Sequence, residues 1–198
     1  MPAAPETFSI LFVCTGNICR SPTAERMLRH ALEQRLGPDA KAFAVTSAGT
    51  GALVDEPIQE HAAALLAHNG IDASGFAARQ LDERLLADAD LLLALTRDHR
   101  ARAATEAPAV LRKLFTLREF ARLAAAAAEQ LPDGLDPVER AHALVPAAAG
   151  QRGMVRAPQP ADDDVPDPYG RPADAYRLPY ALIAEAVDVI ADLIAPAD

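Results

Sequence analysis

Runs of apolar residues, broken by polar stretches and by glycine or proline, divide the chain into short strands and longer helices. Phe8 to Val13 is almost wholly apolar, as a strand covered on both faces should be. Ser21 to Leu36 carries helical spacing and is stopped by Gly37-Pro38. Ala42 to Thr46 predicts a second strand, and Pro57 to Asn69 a helix closed by Gly70. Leu91 to Leu95 reads as a third, buried strand and Lys113 to Thr116 as a fourth. Helical spacing returns over Leu117 to Glu129 and over Asp174 to Ile194. Strands alternating with helices predict an α/β fold: a four-stranded parallel sheet flanked by helices on both faces, with right-handed crossovers. Ligands of such sheets bind beyond the carboxyl ends of the strands. Cys14 ends the first strand, which places the predicted site in the loop that follows it.

Between the fourth strand and the last helix the pattern weakens. Ala124 to Ala128 carries little information, Pro132-Asp133-Gly134 marks a turn, and Val138 to Ala149 predicts a further helix. Gln151 to Asp164 is rich in proline, glycine and aspartate and reads as loop, with Asp162, Asp163 and Asp164 as a solvated acidic run. At 198 residues the chain fits one domain and can bury a real core. A net charge of −9 argues against a nucleic-acid partner held through phosphate contacts. Met1 to Glu6 lack the basic flank and apolar run of a secretory signal, and no apolar stretch reaches the length of a membrane span. Two cysteines suit a reducing cytoplasm rather than a disulfide framework, and they lack the further ligands of a zinc site.

The loop after the first strand carries the chemistry. It reads Cys14-Thr15-Gly16-Asn17-Ile18-Cys19-Arg20-Ser21-Pro22, with cysteine and arginine at the C-x5-R spacing. A loop this short must curl, so the N–H groups of Thr15, Gly16, Asn17, Ile18, Cys19, Arg20 and Ser21 converge as an anion-binding nest. The helix start adds the positive end of its dipole, with Ser21 as the expected N-cap and Pro22 in the first turn. Arg20 can lay a planar fork of donors on a phosphate-like group. Cys14 sits where this positive potential favours the thiolate. Asn17 is placed to hold the loop through side-chain bonds to nearby backbone. Cys19 reads either as a redox partner able to pair with Cys14 or as a small buried apolar residue.

Cys14 to Glu25, CTGNICRSPTAE, resembles the signature loop of the low-molecular-weight protein-tyrosine phosphatases of bacterial type. Asp167-Pro168-Tyr169-Gly170 resembles that family's second motif, and Ser47-Ala48-Gly49-Thr50 and Ala78-Arg79-Gln80-Leu81 resemble two further landmarks in the expected order. The resemblance implies Cys14 as nucleophile, Arg20 as the phosphoryl clamp, Asp167 as general acid, Ser47 as loop support, and Leu53 and Tyr169 as walls of the substrate slot. It implies no metal and no cofactor. Leu53 stands where many members place an aromatic. Phe76 stands where members often carry a histidine bonded into the loop network. The family reaches its Asp-Pro motif in fewer residues, so a single domain over 1–198 with an insertion around 120–160 is expected.

The function implied is hydrolysis of phosphotyrosine, or of aryl phosphate monoesters generally, through a phosphocysteine intermediate. The partners implied are a phosphotyrosine-bearing protein and a cognate tyrosine kinase. Two other functions fit the same residues. Arsenate mimics phosphate, so an arsenate reductase drawing on a low-molecular-weight thiol needs no cysteine beyond Cys19. A non-catalytic phosphotyrosine-binding or redox-sensing protein would keep the cradle without turnover, against which stand Cys14, Arg20 and Asp167 together.

Overall fold

In the computed structural model, which describes residues 7–196, strand β1 (Phe8–Cys14) lies inside a sheet of order β2-β1-β3-β4 with every pairing parallel. The reading of Met1 to Glu6 lies outside the described residues. The neighbours of β1 are β2 (Phe43–Gly49) and β3 (Leu91–Ala94), and β4 (Leu114–Thr116) closes the far edge. Strand β2 runs three residues beyond the expected Thr46, because Ser47, Ala48 and Gly49 stay in register with Phe12, Val13 and Cys14. Strand β3 stops at Ala94, one residue short of expectation.

Alternation along β1 splits the core between two faces. Phe8, Ile10 and Phe12 face α1 (Arg20–Leu36), α5 (Leu117–Ala127), α6 (Pro137–Gly150) and α7 (Arg177–Ile194). Leu11 and Val13 face a smaller cluster with Leu86 of α3 (Glu83–Asp88) and Ala103 of α4 (Arg97–Glu106). Helices thus cover both faces, as expected, although α3 and α4 carry no pattern that predicts them. The helix expected from Pro57 begins instead as α2 (Glu60–His68), where the Gln59 side chain accepts from the amides of His61 and Ala62. Helix α7 starts at Arg177, after a short 3-10 turn over Ala173–Tyr176. No helix among the described residues is long and apolar enough to cross a membrane.

The arrangement carries Cys14 to the carboxyl edge of the inner strand and brings three distant segments around it: residues 47–53 at and beyond the end of β2, residues 78–80, and residues 163–169 before α7.

Candidate active site

Four carbonyl groups of the Cys14 loop are used up on its outer side. Cys14 O accepts from Thr50 N at 2.9 Å, Thr15 O from Gly51 N at 3.1 Å, Gly16 O from Leu53 N at 3.0 Å and Ile18 O from Gln59 N at 2.8 Å. Across a planar trans peptide the next N–H points the opposite way. The amides of Thr15, Gly16, Asn17 and Cys19 therefore face inward, and among the described residues they donate to no protein group. Inward-facing donors without partners are what an anion-binding nest requires. Gly49 makes this fit possible. A Cβ at that position would collide with the Thr15 carbonyl oxygen and come within 3.1 Å of the Ala52 Cα.

A buried chain of side chains holds the loop from below. Asn17, at φ 55°, donates from Nδ2 to Ser21 Oγ and to Ser47 Oγ, both at 2.9 Å, while its Oδ1 accepts from Arg79 N at 2.9 Å. Ser47 in turn donates to Glu25 Oε2 at 2.7 Å. Because Ser21 Oγ accepts from Asn17, its own proton is free for the Cys14 Sγ 2.9 Å away. Ser21 is therefore not the helix N-cap. That position falls to Cys19, without a side-chain bond, since the Ser21 hydroxyl turns to the sulfur rather than to the helix amides. Phe76 takes no part in this network and instead lies under the Arg26 guanidinium, 5.9 Å from its ring centroid. Asn17 finds its partners without the histidine that the family resemblance led one to expect.

Arg20, 5% exposed, reaches across the loop. Its guanidinium donates to Asp167 Oδ2 at 2.7 Å and to the Val165 carbonyl at 3.1 Å. Asp167 Oδ1 accepts from Tyr169 N at 3.1 Å, which fixes the turn. Cys14, Thr15, Gly16, Ile18, Cys19, Arg20, Gly51, Leu53, Asp167 and Tyr169 enclose a cavity of about 200 Å³. Leu53 and Tyr169, 42% and 59% exposed, stand at its rim rather than in the core. The structure thus brings together the predicted nucleophile, cation, acid and walls. Ser47 lies behind the loop.

Cys14 and Cys19 are both buried free thiols, not joined to each other. Burial pushes the Cys19 thiol up to about 11, against the downward pull of the neighbouring Tyr176 hydroxyl. Two residues of the site went unread in the sequence, Glu25 and His99, and two more, Asp163 and Asp164, were misread. Glu25 anchors the Asn17 network; it stood inside the quoted signature without a role. His99, 5% exposed, pairs through Nε2 with Thr15 Oγ1 and through Nδ1 with Thr96 Oγ1, both at 2.8 Å. Burial and the nearby Arg20 charge push its pKa down to about 4, so it is neutral near pH 7. Asp163 and Asp164 are not a solvated run. Asp163 pairs with Arg122 at 2.6 Å and Asp164 with Arg97 at 2.8 Å.

Fold and site define a class: a parallel α/β protein with a cysteine-floored oxyanion cradle facing an arginine–aspartate pair. A family profile described as low molecular weight phosphotyrosine protein phosphatase matches residues 9–146, and the chain belongs to that family. The low molecular weight protein-tyrosine-phosphatase Etp of Escherichia coli K12 is 43% identical over 102 residues, which cover 52% of this chain and 64% of Etp. The matched stretch thus spans somewhat less than two thirds of that relative. The structure of Vibrio vulnificus Wzb in complex with benzylphosphonate superposes with a TM-score of 0.65 at 26% identity, covering 93% of this chain and 97% of that one. The YwlE arginine phosphatase of Geobacillus stearothermophilus superposes with a TM-score of 0.66 at 26% identity, covering 93% and 91%.

Proposed function

We propose that this chain hydrolyses phosphotyrosine through a phosphocysteine intermediate. The observation that carries the reading is the convergence of Cys14, Arg20 and Asp167 on one cavity whose floor is lined by inward-facing amides. The phosphoryl group enters with its oxygens on those amides and on the Arg20 fork, which stabilises the charge spread over them in the transition state. The Cys14 sulfur attacks phosphorus from below. Asp167 passes its proton to the departing phenolate oxygen, then takes one from the water that releases phosphate from sulfur. The Ser21 hydroxyl, donating to Sγ, stabilises the thiolate both before attack and when it departs in the second step.

Apolar walls from Leu53, Ile18 and Tyr169 support an aryl substrate, and a phosphotyrosine-bearing protein opposed by a tyrosine kinase is the partner class that follows. The purified chain should release phosphate from a phosphotyrosine peptide, with vanadate inhibiting, and Cys14→Ser should abolish turnover while still binding phosphate. Turnover of Cys14→Ser within about tenfold of wild type would remove Cys14 from the nucleophile role. Phosphoarginine and arsenate run alongside: faster hydrolysis of the first, or thiol-dependent reduction of the second without peptide dephosphorylation, would overturn the substrate assignment.

A further inference from the structure

The acid loop is pinned from both sides just before Asp167. Asp163 takes the Arg122 guanidinium of α5 on both oxygens, at 2.6 and 3.4 Å. Asp164 takes four bonds from Arg97, the first residue of α4: one from the main-chain N–H at 2.7 Å and three from the guanidinium at 2.8 to 3.2 Å. It thereby caps that helix at its positive end. Burial alone would raise the Asp164 carboxyl, but the hydrogen bonds and charge of Arg97 hold it low. The next residue, Val165, is fully buried; its N–H donates to Leu95 O at 2.8 Å and its carbonyl accepts from Arg20. Only Pro166 separates Val165 from Asp167, and Pro168 follows. Two prolines with fixed φ leave Asp167 little independent freedom. The position of its carboxylate is therefore inherited from residues 163–165.

We propose that Asp163 and Asp164 are positioning residues for the general acid, with Arg122 and Arg97 as their clamps, and that α5 acts in catalysis through this contact. The inference rests on the reading of Asp167 as the acid. These clamps touch neither the nest nor the slot. Their loss should misplace the proton donor far more than it weakens phosphate binding, because the nest amides are untouched and Arg20 loses at most its contact with the Val165 carbonyl. A proton donor matters in proportion to the basicity of the leaving group, so the defect should track leaving-group pKa.

The test compares Asp163→Asn, Arg122→Gln and Asp164→Asn with Asp167→Ala, on phenyl phosphate and on p-nitrophenyl phosphate, with inorganic phosphate as a competitive inhibitor. The clamp variants are expected to lose about tenfold in kcat on phenyl phosphate and much less on the nitrophenyl ester, with the phosphate inhibition constant within about twofold of wild type. The exchanged pair Asp163→Arg/Arg122→Asp should recover part of what Arg122→Asp alone loses, which separates positioning from general loss of fold. Equal losses on both esters, or no loss, would overturn the proposal while Asp167→Ala kept its leaving-group dependence. If Asp167→Ala itself showed none, the acid assignment and this proposal would fall together.

Discussion

The Arg20 guanidinium and the Asp167 carboxylate meet at 2.7 Å, one of them buried and the other with a side chain 52% exposed. In this state the proposed acid rests on the same cation that the proposed mechanism gives to the phosphoryl group. On the proposed function, an arriving dianion would compete for the Arg20 fork and leave Asp167 facing the leaving group as its proton donor. Asp167→Ala should therefore cost about 10²-fold or more on phosphotyrosine and less on an activated nitrophenyl ester. Vanadate should bind to this variant at least as well as to wild type, because its competitor for Arg20 is gone. Weaker vanadate binding would mean that the carboxylate assists the cradle rather than competing with it. Arg20→Lys should fail badly on all substrates, since a point charge cannot span two oxygens.

Gly49→Ala tests the loop's shape. Its Cβ has no room beside the Thr15 carbonyl, so either β2 or the loop must shift. Overpacking of this kind costs about 1–3 kcal/mol. Activity should fall more than stability, because the shift lands next to Cys14. Thermal melting and kcat measured on the same preparation decide; an active, unshifted Gly49→Ala would show that the approach is not tight in solution.

His99 gives a pH signature. The unfolded chain takes up this proton from about pH 6.5 downward, whereas the folded chain resists until about pH 4. Native stability should therefore decline as pH falls through that window, by up to about 3 kcal/mol from this group. Urea titrations between these limits should show a shallower pH slope for His99→Asn than for wild type. Parallel slopes would mean that His99 titrates normally.

The two thiols should differ in reactivity. With its thiol pushed up to about 11, Cys19 carries almost no thiolate near pH 7. Iodoacetamide should thus label Cys14 at the cavity floor first, with Cys19 labelled only after unfolding. Phosphate should protect Cys14. Early labelling of Cys19 in the native protein would mean that its surroundings open readily.

Strand β1 and its loop were legible because their signals are local: an unbroken apolar run, then cysteine, glycine and arginine at short spacing. Helix α4 was not, because RDHRARAATE has almost no apolar stripe, and only Thr96 as an N-cap hinted at it. His99 is one polar residue in that polar helix and gave no separate signal. Ser21 misled for the opposite reason: the local cap rule favoured it, but its hydroxyl lies against the Cys14 sulfur and accepts from Asn17 instead of capping the helix. The role of Asp163 depends on an arginine 41 positions away, a relation that no local pattern encodes.

The outward-turned carbonyls of Cys14, Thr15, Gly16 and Ile18 have a consequence for how far the C-x5-R signature can travel. Each of those carbonyls is caught by an amide from elsewhere in the chain: Thr50, Gly51, Leu53 or Gln59. A synthetic peptide spanning Phe8 to Glu25 would have the right letters and none of these catches, leaving its carbonyls free to turn inward and repel an anion. The cradle is not a portable cassette. A protein engineer moving it to another scaffold must move the wall it hangs on as well.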